Sequence, residues 1–373
     1  MGIIDDRDVD LCALRARFGR WLQGRPGMAR AEVRSLCHAS SANGFSNETY
    51  RLVVAEPGQT EQTLILRLPP SRTGFFPDYD IARQYAFMQQ LEGEAGLRLA
   101  PCRWLELDPA ALGRPFFVTD FIAGEVAGDN PCYVREGWIV DATAEQRRRL
   151  WDGSVAQLAQ LARVRWQGDR LRALDWPDRS RPRLQQHLDH WTALAAWGRA
   201  QLPNAGDDVP MAELARWLER HRPAEDLAGV VWGDSRFGNV IYRGFEPAAL
   251  LDWELAVIGD PMIDLAYMLF HVFLMQLYHG DSETTPRRLS GFRGDAETVA
   301  AYCEATGRTP RDYRYYWLFN AYKMLCIWQC KAALMLRTGT WDLGQALECA
   351  AGGRLRPHIG AVLAGGPDAA YLR

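Results

Sequence analysis

The chain has 373 residues, 48% hydrophobic and 24% charged, with 43 basic against 46 acidic side chains and a formal charge of −3. That length predicts two domains or one domain of two lobes, and the composition excludes bulk disorder and fibrous classes. A nearly balanced charge argues against nucleic-acid binding through a dominant basic field.

No apolar h-region follows the opening MGIIDDRDVD, so no secretory signal is read there. The longest apolar run, MIDLAYMLFHVFLMQLY from Met262, contains Asp264 and His271 and predicts a buried helix, not a membrane span. A cytoplasmic protein with no membrane or nucleic-acid partner is expected. Only Lys323 and Lys331 are lysines, so basic chemistry earlier in the chain falls to arginine or histidine. The eight cysteines are scattered without a C-x-x-C and predict buried free thiols. His187 and His190 have helical spacing but no third ligand nearby, and surface or capping positions are expected for both.

In chain order, a short helix is predicted over Asp8–Leu22, then strands at Glu32–Ser40, Glu48–Ala55 and Thr63–Leu68. Ile81, Tyr85, Met88 and Leu91 share one face of a helix over Asp80–Glu94. Strands follow at Arg103–Leu107 and Pro115–Ile122, and the polar, glycine-bearing Ala123–Asn130 predicts a connector. Beyond it, apolar spacing of 3.6 residues predicts helices over Thr143–Val164, Arg183–Gln201 and Met211–Arg220. A β-rich island, Val230–Trp253, interrupts them, and helices resume from Pro261.

The island carries the chemistry. Trp232-Gly233-Asp234-Ser235-Arg236-Phe237-Gly238-Asn239 is followed by Leu251-Asp252-Trp253-Glu254. Phosphoryl transfer needs one carboxylate to orient the attacking hydroxyl and take its proton. It also needs a carboxylate and an amide oxygen to hold Mg²⁺, and a cation for the transferred group. Asp234, Asn239, Asp252 and Arg236 supply those types at the spacing of a kinase catalytic loop and the metal-binding aspartate after it. Either aspartate alone could be a turn cap. The joint spacing favours catalysis.

These residues, in GDSRFGNVIY…LLDWELAVIGDPMIDLAY, resemble the aminoglycoside phosphotransferase-like kinases, and especially the branch with phosphotransferase domains associated with acyl-CoA dehydrogenases. The resemblance spans roughly Val33–Leu336. It implies an α+β, protein-kinase-like two-lobed fold: a β-rich N-lobe over 1–122 for the nucleotide, and a larger helical catalytic and substrate lobe over 123–373 enclosing a buried β-hairpin island. It implies Asp234 as base, Arg236 as a γ-phosphate contact, Asn239 and Asp252 as Mg²⁺ ligands, and ATP or GTP as donor to a small-molecule alcohol. Asp264 would stiffen the catalytic loop, while Asp260 sits where an N-cap belongs.

In the N-lobe, Gly44-Phe45-Ser46-Asn47 resembles the family's phosphate-covering loop, whose N–H groups cradle oxygens. Arg67 stands where kinases carry a phosphate-pairing lysine, and its fork suits phosphate oxygens. The helix glutamate that normally partners that cation is Gln84, so an Arg67–Gln84 hydrogen bond is expected in place of an ion pair. Asp120, Phe121 and Ile122 would form the hinge that offers backbone groups to adenine, and the residue before Gly233 is Trp232 where the family usually has histidine. Those two departures, Gln84 and Trp232, motivate the rival reading of a nucleotide-binding regulator without efficient turnover.

Aminoglycosides are polycations, whereas Trp151–Val230 holds 11 acidic and 11 arginine residues. That balance leaves neutral or anionic acceptors, choline-like, sugar or hydroxyacyl compounds beside them, as alternatives. The aromatic group Tyr313, Tyr315, Tyr316, Trp317, Tyr322 and Trp328 is expected in the core rather than in a pocket.

Overall fold

A computed structural model describes residues 10–39, 47–71, 74–167, 169–203, 205, 208–225, 227–280, 287–309 and 313–365. It divides into two compact units, one of Met1–Glu92 with Leu99–Ala123 and one of Gly93–Arg98 with Gly124–Arg373.

The first unit contains α1 (Leu11–Gln23), β1 (Glu32–His38), β2 (Glu48–Ala55), β3 (Gln62–Leu68), α2 (Ile81–Leu91), β4 (Cys102–Glu106) and β5 (Phe116–Asp120). The strands form one antiparallel sheet in the order β1-β2-β3-β5-β4. Alternation decides the faces. Leu64, Leu66 and Leu68 of β3 and Tyr50, Leu52 and Val54 of β2 point one way and pack with Leu14, Phe18 and Leu22 of α1. Each such side chain contributes about 1.5–3 kcal/mol on burial, which is why this short amphipathic helix docks. Asp10 caps α1, accepting the Ala13 N–H at 2.9 Å. The opposite face carries Arg67, level with Phe117 on β5, and Tyr85 of α2 meets the Phe117 ring at 6.0 Å.

The second unit runs through β6 (Glu125–Val126), α3 (Trp138–Asp141), α4 (Ala144–Arg163), α5 (Asp169–Arg172), α6 (Arg183–Arg199), α7 (Val209–Arg220), β7 (Gly229–Val231), β8 (Val240–Arg243), β9 (Glu246–Leu250), β10 (Val257–Gly259), α8 (Met262–His279), α9 (Asp295–Thr306), α10 (Tyr313–Arg337), α11 (Leu343–Ala350) and α12 (Leu355–Ala364). Helix α10 packs against α6, α7, α8, α11 and α12. Tyr315, Tyr316, Trp317 and Tyr322 are buried within it, so these four are core, while Tyr313 and Trp328 are half-buried. Helix α8 is buried on nearly every face, and among the described residues no helix is long and apolar enough to cross a membrane.

Two small antiparallel sheets interrupt the helices, β6-β8-β9 and β10-β7. The sequence reading placed no strand in the connector, yet Glu125 and Val126 pair with Tyr242 and Ile241. It also ended the island before β10, which pairs with β7 through Val257–Val231. His187 corrects another expectation: it is buried among Trp176, Trp191 and Phe319, while His190 is exposed. All eight cysteines are free, but Cys12 and Cys37 are exposed instead of buried.

Candidate active site

The second unit gathers Asp234, Arg236, Asn239 and Asp252 around the β8–β9 hairpin. Strand β7 ends at Val231, and the chain turns sharply through Gly233 at φ +91°. A Cβ there would lie 2.3 Å from the Leu255 carbonyl oxygen, so the turn requires glycine. Asp264, on the first turn of α8, accepts the Trp232 and Gly233 N–H groups at 2.6 and 2.8 Å. Its own carbonyl takes the Ser235 hydroxyl at 2.7 Å. Burial pushes the Asp264 carboxyl up to about 6, against the pull of those two N–H groups and Lys323. Asp260, by contrast, caps the start of α8: it accepts the Met262 N–H at 3.0 Å and the Tyr316 hydroxyl at 2.7 Å. Trp232, where the family usually has histidine, is buried and donates its indole N–H to the Leu251 carbonyl at 2.7 Å.

Asp234 follows this clamp with its side chain 17% exposed. Arg236 Nε reaches its Oδ2 at 3.2 Å and Asn239 Nδ2 donates to the same oxygen at 2.5 Å. Burial alone would raise the Asp234 pKa; Arg236, Lys323 and His271, with Tyr267 beside it, outweigh that and hold the carboxyl below its ordinary value. Arg236 also binds Asp129 at 2.5 Å. Burial opposes its charge, but Asp129 and Asp234 prevail and its pKa stands above the ordinary value. The cation read as a phosphate contact is thus held between two carboxylates.

Asn239 closes a short 3₁₀ turn, Phe237–Asn239, immediately before β8. The Leu251 N–H donates to the Asn239 carbonyl at 2.8 Å, extending the Val240–Leu250 register by one step. Asp252 comes next, in the left-handed region at φ +60°, where the chain leaves the hairpin. A residue other than glycine there is uncommon and marks a constrained site.

Three further groups that sequence reasoning did not assign lie around Asp234 and Arg236. Asp129 lay in the stretch read as a connector. His271 is buried and pushed down to about 4 by burial, with Nδ1 accepting no hydrogen bond among the described residues. Lys323 reaches from α10 to the Gly233 carbonyl. The one available signal was compositional: it is one of two lysines in the chain.

In the first unit, Gly44, Phe45 and Ser46 lie outside the described residues, and Asn47 directly precedes β2. Gln84 is buried, and its Oε1 accepts no hydrogen bond among the described residues, so the expected bond from Arg67 to that oxygen is absent. Asp120 is held by Arg103 at 2.5 and 2.9 Å. Its N–H donates to Pro101, and that of Phe121 to Thr63, at 2.9 and 3.1 Å. Sheet bonds therefore occupy two of the three hinge N–H groups, which leaves Ile122 and the carbonyls as the groups to consider.

The comparisons with known proteins agree on the class of fold. A putative aminoglycoside phosphotransferase from Ralstonia eutropha JMP134 superposes with TM-score 0.66 at 23% identity, covering 92% of this chain and 96% of that one. A thermostable mutant of aminoglycoside phosphotransferase APH(4)-Ia, in ternary complex with ADP and hygromycin B, gives 0.52 at 14% identity, covering 90% and 95%. Plasmodium vivax ethanolamine kinase gives 0.58 at 12% identity, covering 92% and 86%. The fold is α+β and protein-kinase-like, with a small antiparallel β-lobe and a larger helical lobe. The sequence model of the phosphotransferase enzyme family matches residues 40–316, and the chain belongs to that family. Among curated relatives, probable acyl-CoA dehydrogenase IBR3 of Arabidopsis thaliana is 23% identical over 307 residues, 77% of this chain and 35% of the relative. Human acyl-CoA dehydrogenase family member 11 is 23% identical over 309 residues, 82% and 36% respectively. The chain spans about a third of the length of these relatives.

Proposed function

We propose that the protein transfers the γ-phosphate of ATP, with Mg²⁺, to a hydroxyl of a small neutral or anionic alcohol. The observation that carries this reading is the Asp234 carboxylate, kept ionised and fixed by Arg236 and Asn239. An ionised carboxylate held in this way is suited to orient an acceptor hydroxyl and take its proton as the oxygen attacks.

The residues present fit a magnesium ion. Asn239 turns its Nδ2 to Asp234, which leaves Oδ1 as its acceptor atom, and Asp252 follows one residue after the Leu251–Asn239 backbone bond. Both offer hard oxygens. Among the described residues no set of three His, Cys, Asp or Glu is placed to hold a metal, and Mg²⁺ usually takes one or two carboxylates and keeps waters and phosphate oxygens. Asn239 and Asp252 would hold it, and when bound it would neutralise charge on the nucleotide phosphates.

For the nucleotide, Arg67 would pair with phosphate oxygens and Asn47 with its loop would cover them, while the hinge would meet adenine through Ile122 and neighbouring carbonyls. The ADP complex of APH(4)-Ia supports a nucleotide donor. The balanced charge of the helical lobe supports a neutral or anionic acceptor over a polycationic aminoglycoside. Choline-like, sugar and hydroxyacyl compounds are the alternatives within this reading.

The test is ADP release from MgATP across a panel of aminoglycosides, ethanolamine, choline, sugars and hydroxyacyl compounds, with product phosphate located by ³¹P NMR. Stoichiometric transfer to one alcohol, lost in Asp234→Ala, is the expected result. Tight nucleotide binding with no transfer to any of them would favour the regulator reading.

A further inference from the structure

Forty-three basic residues include only two lysines, and one of them, Lys323, is 1% exposed in the middle of α10. Burying an ammonium in a helical core is costly unless partners compensate it. The partners here are the turn before Asp234 and two rings packed beneath it, on α8 and α6. Lys323 Nζ donates to the Gly233 carbonyl and stands 3.6 Å from the centroid of the Tyr267 ring, with the Trp191 ring at 5.4 Å. Tyr267 stands beside Asp234 and is among the groups that hold its carboxyl below the ordinary value. On the other side of the same turn, Asp264 holds the Trp232 and Gly233 N–H groups.

We propose that Lys323 is a positioning residue for the phosphotransfer, fixing Asp234 by gripping the preceding carbonyl and the ring of Tyr267 at once. The inference rests on the reading of Asp234 as the base. Gly233 has no side chain with which to hold its turn, so its peptide groups must be held by others. Asp264 fixes the N–H side and Lys323 the C=O side, and Asp234 is the next residue along. The residue type is informative. In a chain that uses arginine almost everywhere, the planar guanidinium would have to fit among Tyr267, Trp191 and the loop, whereas a compact ammonium can donate to a carbonyl and sit over a ring. The charged and titratable groups around it are Asp234 and Arg236 from the loop, Asp264 and His271 from α8, and His187 from α6.

Lys323→Met removes charge and donor while keeping an unbranched apolar stem. Lys323→Gln keeps an N–H donor without charge. Both are compared with wild type and Asp234→Ala, using MgATP with water as acceptor, and again with the panel alcohol that wild type phosphorylates fastest. Folding is checked by circular dichroism and Tm, nucleotide Kd by calorimetry, and exchange of the Trp232 and Gly233 amides by hydrogen–deuterium mass spectrometry. The expected result is a folded Lys323→Met with nucleotide Kd within about twofold of wild type. Its kcat should fall about tenfold or more, exchange should quicken at that turn, and Lys323→Gln should recover part of the rate. If Lys323→Met fails to fold, Lys323→Gln alone decides: folded with a selective loss of kcat supports the role, and failure of both to fold assigns the lysine to the core and overturns it. An unchanged kcat in folded Lys323→Met, with Asp234→Ala inactive, overturns the inference alone. Wild-type turnover by Asp234→Ala overturns the reading of the site and the inference with it.

Discussion

Asn239 donates its side-chain amide to Asp234 twice, to the backbone carbonyl at 3.0 Å and to Oδ2 at 2.5 Å. One residue thereby fixes the carboxylate and turns its own oxygen away from it. Asn239→Ala removes both effects. Turnover should fall, and the MgCl₂ concentration for half-maximal ADP release should rise about 10–100-fold, the range typical of lost metal-site partners. A titration of rate against MgCl₂ checks this; an unshifted midpoint contradicts the assignment of Asn239.

Asp234→Ala should separate binding from chemistry. A general base contributes about 10²–10⁴-fold, so kcat should drop by that factor while nucleotide affinity stays close to wild type. Single-turnover kinetics together with calorimetric Kd are the measurement.

Arg67 should behave in the opposite sense. It is assigned to phosphates already present in the ground state, so Arg67→Ala should weaken nucleotide binding as well as slow transfer. Arg67→Lys should rescue only part, because charge returns without the planar fork. Gln84 contributes little to this: its buried Oε1 accepts no hydrogen bond among the described residues. Gln84→Leu should therefore be neutral or stabilising within about 1 kcal/mol and leave nucleotide Kd unchanged. Denaturant titration and calorimetry on the pair of variants test the contrast.

Asp264 is a stability element with a pH signature. Asn offers one oxygen where the carboxylate offers two, so Asp264→Asn should leave an N–H of the turn unmet and cost about 1–3 kcal/mol. The folded carboxyl is raised to about 6 from an ordinary 3.8. The folded chain therefore binds this proton more tightly than the unfolded chain does. The associated stability is complete below about pH 4 and is lost as pH rises through about 6. Unfolding curves of wild type and Asp264→Asn between those limits should converge as pH rises, apart from the constant cost of the missing acceptor.

Gly233→Ala places a methyl 2.3 Å from the Leu255 carbonyl oxygen at a positive φ. Strain of about 1–3 kcal/mol is expected, and the turn must shift to relieve it. Because Asp234 is the adjacent residue, kcat should fall more than Tm accounts for. Parallel melting curves and rates decide.

The parts of this fold legible in the sequence are those where side chains carry the pattern. Strand β2 alternates buried Tyr50, Leu52 and Val54 with outward residues, and β3 does so with three leucines; their ranges are readable within a residue. The grouping of Asp234, Arg236 and Asn239 was legible because all three lie within six residues of one loop. What was hidden depends on backbone pairing or distant packing. Strand β6 is two residues long and owes its existence to β8, more than a hundred positions away, so no periodicity marks it. Asp129 looked like loop polarity until Arg236 was found on it. A surface or capping position was expected for His187 because an H-x-x-H carries no sign of the Trp176 ring from the chain before α6 or the Phe319 ring from α10.

The six residues Gly93–Arg98 interrupt the first unit in sequence yet belong to the second. The Leu250 N–H donates to the Arg98 carbonyl at 2.8 Å, and Gln157 holds both the Arg98 N–H and the Gly96 carbonyl, at 2.8 and 3.0 Å. The second unit therefore takes in a piece of chain that lies between two parts of the first. A gene fusion that grafted residues 1–123 onto another partner would carry away the hexapeptide and leave Gln157 and the end of β9 without their contacts. Recombination within this family should preserve that segment together with β9, although they lie about 150 positions apart in the sequence.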